Sequence, residues 1–431
     1  MPEFNEDLLQ FIWQHRILKP ETLITCSGAV IRVLEPGELN RHSGPDFSNG
    51  KILIGTTTLV GNIEIHKKSS DWLKHQHQSD PAYDRLILHV VYEHDREIPQ
   101  NTLHQVEVLE LKSSIDVRTF ERYKSMMAGC SRLPCASQLE AVPDALFTKW
   151  VNQMTRERLE SKLDRLQSFA DSFGQDLTQT FYTLFLRNLG FSTNALPFEL
   201  LARQLPIQLL LKHADQLLQL EALVMGCAGF LDEYFEAGYL RDLQNEFTFL
   251  SRKYNLVPLK KEIFKTSRMR PANFPMVRLA QLCQLIHRQS RFFMAPQLYT
   301  TYVEIDQVLS IQPEGYWRNH YRADGRESEK MLFLGRPSRE NLMINSFAPF
   351  LFYYGKRFGK GAYLSYALEL LQVCKAEDNA KTRTYEPKST QIKTAAHSQG
   401  LIQLHDRYCH EKACLRCGLA AAILKTDKIC A

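Results

Sequence analysis

The stretch Arg41–Trp72, RHSGPDFSNGKILIGTTTLVGNIEIHKKSSDW, decides how the first quarter of this 431-residue chain is read. Asp46 follows a Gly-Pro pair, and "KILIG" and "LVGNIEIH" are two apolar runs of strand character joined by a short polar turn. Strand side chains alternate faces, so Glu64 and His66 point the same way; Lys68 shares their parity and Lys67 faces the other side. If the two runs pair as a hairpin, Asp46 at the mouth of the first strand approaches Glu64 on the second. Two carboxylates held together invite a hard divalent cation, Mg²⁺ or Mn²⁺. Such an ion lowers the pKa of water and steadies charge on a phosphate, and a nearby basic side chain would orient either one. The competing reading is a structural hairpin whose charges face solvent.

Working outward, "EDLLQFIWQHRIL" has helical spacing of Leu8, Leu9, Ile12, Trp13 and Leu18. "AVIRVLE", "RLILHVVYEH" and "HQVEVLELK" add strands, and a short helix capped by Ser69 or Ser70 is expected before "RLILHVVYEH". The fold class expected is α+β. An α/β domain over residues 1–112 is followed by a helical bundle over 113–258, a second helical region over 259–400 and a cysteine-bearing segment over 401–431. "DALFTKWVNQMTRERLESKLDRLQSFADSF" reads as one long amphipathic helix, and "YEPKSTQIKTAAHSQG" as a loop. Hydrophobic residues make up 44% and charged residues 23%, the balance of a soluble globular protein. No apolar run is long enough to span a bilayer, and the start is acidic and polar rather than signal-like, so a cytoplasmic protein without a membrane partner is expected. A net charge of +5 permits nucleic-acid binding without arguing for it.

Asp46, Glu64 and the element order resemble the PD-(D/E)XK nuclease superfamily, the restriction-endonuclease-like fold. There an acid after Pro opens one strand, the next carries Glu-X-Lys, and a helix and further strand follow. Pro45, Asp46, Glu64, Ile65 and His66 occupy those places, with His66 where the pattern has Lys. The resemblance implies a metal-dependent nuclease with Asp46 and Glu64 on Mg²⁺ or Mn²⁺. His66, with Lys68 as a helper, would take the catalytic Lys role, and nucleic acid would be the partner. The segments "GELNRHSGPDF", "GNIEIHKKSSDW", "YDRLILHVVYEHD", "RPANFPMVRLAQL", "EALVMGCAGFL" and "CHEKACLRC" together resemble a bacterial family known as domain of unknown function 2851, from the N-terminal helix to the cysteines. That likeness implies no activity.

Around the acids lie His75, His77, Asp80, Tyr83, His89 and His94. His77, Asp80 and Tyr83 are expected as supporting groups around the metal, and His89, inside an apolar run, as a core residue. Imidazoles at this density also permit a transition-metal site, although no H-E-x-x-H signature is present. Cys409, Cys414 and Cys417 follow a C-x4-C-x2-C spacing that suits zinc or an iron–sulfur cluster. A fourth ligand is open among His405, His410, Cys430, Cys130 and Cys135. Lys260, Lys261, Lys265, Arg268, Arg270 and Arg278 form either a phosphate-binding face or a solvated surface. "GYWRNHYR" suits stacking on single-stranded bases or a packed loop equally. Two functions follow: a metal-dependent nuclease-like hydrolase, or a catalytically inactive module that binds nucleic acid or protein.

Overall fold

In the computed structural model, residues 4–19, 22–98, 106–128, 133–323, 327 and 332–425 are described. They divide into two compact units.

The first unit comprises residues 1–150, 383–389 and 404–431. It holds one sheet of β1 (Leu23–Ile24), β2 (Val30–Glu35), β3 (Glu38–Leu39), β4 (Phe47–Ile54), β5 (Thr57–Lys68), β6 (Leu86–Glu93) and β7 (Glu107–Glu110). The order is β1-β2-β4-β5-β6-β7, with β3 on β4. The expected hairpin is present: β4 and β5 run antiparallel, with Phe47 opposite Ile63 and Ile54 opposite Thr57. β5 and β6 are parallel, with Glu64 beside His89 and His66 beside Val91, and β7 is parallel to β6. A parallel pair needs a crossover connection. Here residues 69–85 supply it through the single-turn helix α2 (Asp71–Lys74) and two 3-10 turns, His77–Ser79 and Pro81–Tyr83. Neither serine's hydroxyl caps α2; Ser69 Oγ instead binds Asp95 and the carbonyl of Arg96. Helix α1 (Glu6–Gln14), capped by Asn5, buries the predicted Leu8, Leu9, Ile12 and Trp13 together with Phe11, while Leu18 lies beyond its end.

Gly61 shows how closely β5 and its neighbour pack. A Cβ there would lie 2.5 Å from Ile87 Cγ2 and 2.6 Å from the carbonyl oxygen of Arg85. A backbone atom cannot step aside cheaply, so Gly61→Ala is expected to destabilise this unit by about 1–3 kcal/mol. Urea denaturation measures this; an unchanged midpoint would show that the strands can part at no cost.

The unit does not end at residue 112. The helix α3 (Val117–Ala128), residues up to 150 and two returning segments belong to it. The segment read as a loop is largely helical: a 3-10 stretch over Thr382–Gln391 precedes a helix over Ala395–Leu404. Its Lys388 is buried and donates to the carbonyl of Val142 at 2.6 Å and to Asp144 Oδ1 at 2.8 Å, which ties residues 383–389 to the first unit. A buried ammonium with a carboxylate and carbonyl partners is satisfied, and removing those partners would leave it costly.

The second unit, 151–382 and 390–403, is helical, as the patterning of the middle of the chain predicts. The long helix expected after residue 144 is broken at Lys162 into α4 (Asp144–Ser161) and α5 (Leu163–Ser172). Helix α6 (Leu177–Leu189), capped by Asp176, runs through an apolar core with Phe181, Phe185, Phe292, Phe293 and Phe347. No helix among the described residues is long and apolar enough to cross a membrane.

Candidate metal centre

Because β4 and β5 pair with Phe47 opposite Ile63, the residue before β4 meets the middle of β5. The Asp46 amide donates to Glu64 Oε2 at 3.0 Å, and the Ile65 amide donates to Asp46 Oδ2 at 3.0 Å. Each acid is thus held by the other's strand. Gln10 of α1 donates to Asp46 Oδ1 at 2.8 Å. Glu64 is 5% exposed, and loss of hydration, with Asp46 beside it, pushes its carboxyl up to about 8. Burial pushes Asp46 up to about 6, opposed by the Ile65 amide and Gln10. Burying two carboxylates side by side is costly unless a cation or a proton compensates them.

The groups gathered beside Glu64 are imidazoles. His66 Nε2 lies 3.4 Å from Glu64 Oε1, and His77 Nε2 lies 3.3 Å from that same oxygen. His66 Nε2 is 3.1 Å from His75 Nδ1, and His66 Nδ1 is 2.9 Å from His89 Nε2. His66, His75 and His77 each offer a ring nitrogen, all within 4.8 Å of one another. Burial, then the neighbouring imidazoles, drives His66 down to about 2 and His89 to about 3, and lowers His77 as well. These rings are neutral at pH 7, the state in which an imidazole ligates a metal. His77 Nε2 is buried and has no hydrogen-bond partner among the described residues. Three imidazoles, one of them carrying this unsatisfied nitrogen, and a carboxylate oxygen fit a divalent transition metal.

The supporting groups divide. Tyr83 packs at a tilt on His77 with ring centroids 4.1 Å apart, and Trp72 packs edge-on against His77 and at a tilt against His89. Asp80 is exposed and accepts from the Ala82 amide at 2.9 Å; it caps the 3-10 turn that carries Tyr83. Lys68 does not turn toward Glu64. Its Nζ is 3.7 Å from Asp95 and 4.0 Å from Glu93, on the stretch at the end of β6. His89 is buried as expected, yet it belongs to the site through His66 rather than to an apolar core alone. His75 belongs to the histidine group whose density permits a metal site, although the sequence gives it no individual role. Gln10 escapes the sequence reading, because no local pattern marks it.

His89 holds the far side of the His66 ring, the role of an outer partner that fixes a ligand's tautomer. His89→Ala is therefore expected to lower metal affinity about 10–100-fold. Titration with a competing chelator measures it; unchanged affinity would show that His66 needs no such support.

The cysteines form a second cluster within the first unit. Cys135 joins Cys409, Cys414 and Cys417 around a cavity of about 20 Å³, walled by Met126 and Ile423. Cys409 ends a π-helical turn, while Cys414 opens a 3-10 turn that Cys417 caps. All four are free thiols, and burial pushes Cys409 up to about 11 and Cys417 up to about 12. The Tyr385 hydroxyl lies 3.2 Å from Cys409 Sγ. Of the other fourth-ligand candidates, His405 pairs with Asp406, while Cys130 and Cys430 lie outside the described residues.

The basic and aromatic segments of the second unit are largely structural. Arg278 is 2% exposed and donates to Asn273, Gln281 and Ser338. Trp317 is fully buried and donates to Glu221 at 3.0 Å. Tyr316 stacks on His320 at 3.9 Å, so "GYWRNHYR" is a packed loop. Lys260, Lys265, Arg268 and Arg270 are exposed, and Lys261 pairs with Glu233.

A family model described as Protein of unknown function (DUF2851) matches residues 6–380. The chain belongs to this family. The DUF2851 match contains Asp46, Glu64 and every histidine of the cluster, and ends before Cys409. Its extent is thus shorter than the likeness running to the cysteines. No curated protein and no solved structure matches the chain.

Proposed function

We propose that this chain is a metal-dependent, nuclease-like hydrolase acting on phosphodiester bonds of DNA or RNA. The observation that carries the reading is the interlock of Asp46 and Glu64 on paired strands, with neutral imidazoles gathered at Glu64. The order of strands around it, an antiparallel hairpin followed by a parallel crossover, supports the likeness to PD-(D/E)XK nucleases.

Glu64, His66, His75 and His77 would hold the ion, with Asp46 adjacent. Three imidazoles extend the expected metals from Mg²⁺ or Mn²⁺ toward Zn²⁺ and Fe²⁺. A bound divalent ion supplies acidified water and neutralises charge at the phosphate. The chain's own contributions are distinct. With an ion bound, Asp46 and Glu64 would place negative charge on one side of the pocket, their oxygens fixed by backbone amides. His89 orients His66, while Trp72 and Tyr83 wall the site against water. His75 is exposed, at the solvent side of this donor set. Cleavage of labelled single- and double-stranded DNA and RNA across a panel of divalent metals, wild type beside Glu64→Ala, tests the reading.

A second reading, a catalytically inactive module that binds nucleic acid or protein, is favoured by one observation. The Lys of the nuclease pattern is replaced by a neutral His66, and Lys68 is committed to Glu93 and Asp95. Metal-independent binding of nucleic acid without cleavage would select it. In either case we propose that Cys135, Cys409, Cys414 and Cys417 hold a structural zinc ion or an iron–sulfur cluster. Four thiols sharing one cavity, three from one C-terminal segment and one from residue 135, support this.

A further inference from the structure

The second unit contains a cavity of about 290 Å³ whose lining is cationic. Arg158 comes from α4, Lys162 from the break between α4 and α5, and Arg165 from α5. Asn188 of α6 and Asn345 complete the polar side; Leu166, Leu184 and Pro349 form an apolar wall. Asn345 sits on a π-helical turn, Met343–Phe347, inserted between the helices Arg336–Leu342 and Ala348–Arg357. Such insertions recur at functional sites because they redirect a side chain out of the helical register.

Among the described residues, the hydrogen-bond partners of Lys162 Nζ are neutral: Asn345 Oδ1 at 3.3 Å and Gln399 Oε1 at 3.1 Å. Gln399 also accepts from Arg158 at 2.7 Å and donates to Glu377. Glu377 is the acid that attracts Lys162, at longer range, while Arg158 and Arg165 repel it. Farther along, Arg165 feels Arg187 and Glu199, which pair with each other. Three cations thus line the cavity, and Glu377 stands one glutamine away.

We propose that this cavity is a binding site for a phosphate monoester dianion. Three guanidinium and ammonium groups from two helices and their junction converge as phosphate recognition requires. The volume exceeds what a bare phosphate fills, and the Leu166–Leu184–Pro349 wall offers an apolar face to a small organic body carrying it. Loss of hydration, with Arg158 next to it, holds Lys162 down at about 7, so a bound dianion draws a proton onto it. The dianion has two possible sources, a free phosphorylated small molecule or the 5′-phosphate end of a nucleic acid. The site is separate from the histidine cluster and does not depend on it.

Calorimetry on the full chain, with chelator present, uses inorganic phosphate, AMP, and an oligonucleotide with and without a 5′-phosphate. Saturable binding of AMP is expected, weakened about tenfold or more in Lys162→Met and in Arg165→Gln. It should be unchanged in Glu64→Ala. At pH 8 the wild-type heat should vary with the buffer's ionisation enthalpy, reporting proton uptake, and this variation should vanish in Lys162→Met. AMP binding assigns the small-molecule source, and binding only of the 5′-phosphorylated oligonucleotide assigns the nucleic-acid end. No saturable binding of any probe, or equal binding by folded Lys162→Met and Arg165→Gln, overturns the proposal.

Discussion

Glu64→Ala removes metal-dependent cleavage, with a fall of at least about 10³-fold in rate. Glu64 is central on two counts. Its Oε2 anchors the Asp46 amide, and its Oε1 faces both His66 and His77 at 3.3–3.4 Å. Alanine would remove the carboxylate from the donor set and leave the imidazoles without a negative partner. The pH profile carries the same signature with a definite sign. Protons compete for Glu64 below about 8 and for Asp46 below about 6, so metal affinity and rate rise as pH climbs through that window. His66 is already neutral there and adds nothing to the slope. In chelator-treated protein the stability trend runs the other way. The folded Glu64 carboxyl binds its proton more tightly than an unfolded one, so this site's contribution falls as pH rises from the ordinary carboxylate range to about 8. Added metal should reverse that fall in a thermal-shift measurement. A Glu64→Ala protein that cleaves as wild type would sink the enzyme reading at this site. Wild type that cleaves nothing, with metal bound, would leave the binding module.

Cys135→Ser empties the cysteine cluster. A four-thiolate site that loses one ligand loses most of its affinity, and structural metal sites contribute binding energy on the order of 10 kcal/mol to the fold that contains them. The expected result is a drop of one zinc ion, or of one cluster's iron and sulfide, per chain, with an earlier thermal transition. Elemental analysis and visible absorbance of anaerobically purified protein read the outcome and separate zinc from iron–sulfur. Cys26→Ser, at an exposed thiol far in sequence from the cavity lining, serves as the control. Equal metal content in Cys135→Ser and wild type would remove Cys135 from the ligand set.

The two clusters show which layers of the protein were written locally. The paired strands β4 and β5 follow from two apolar runs and a turn, and the period of two then puts Glu64 and His66 on one face regardless of context. Asp46 opposite Glu64 follows from that register, and the helical character of the chain's middle follows from its 3.6-residue spacing. Covalent geometry fixes these relations over a few residues, so a single sequence shows them. The rest depended on segments far apart in the chain. Lys68 has the parity of Glu64, yet Glu93 and Asp95 from the neighbouring strand claim it. His75 and His77 reach the site because the crossover from β5 to β6 folds back over the sheet, and His89 because β6 lies parallel to β5 in one register. Cys135 meets Cys409 across more than 270 intervening residues, and Lys162 meets Asn345 and Gln399 at a helix break that amphipathic spacing does not mark. The sequence by itself determined the longer strands, the helical character of the middle and the acid pair. Only the tertiary structure decided which imidazoles, thiols and cations share a pocket, because that is settled by packing between distant elements, whose burial energy no local pattern records.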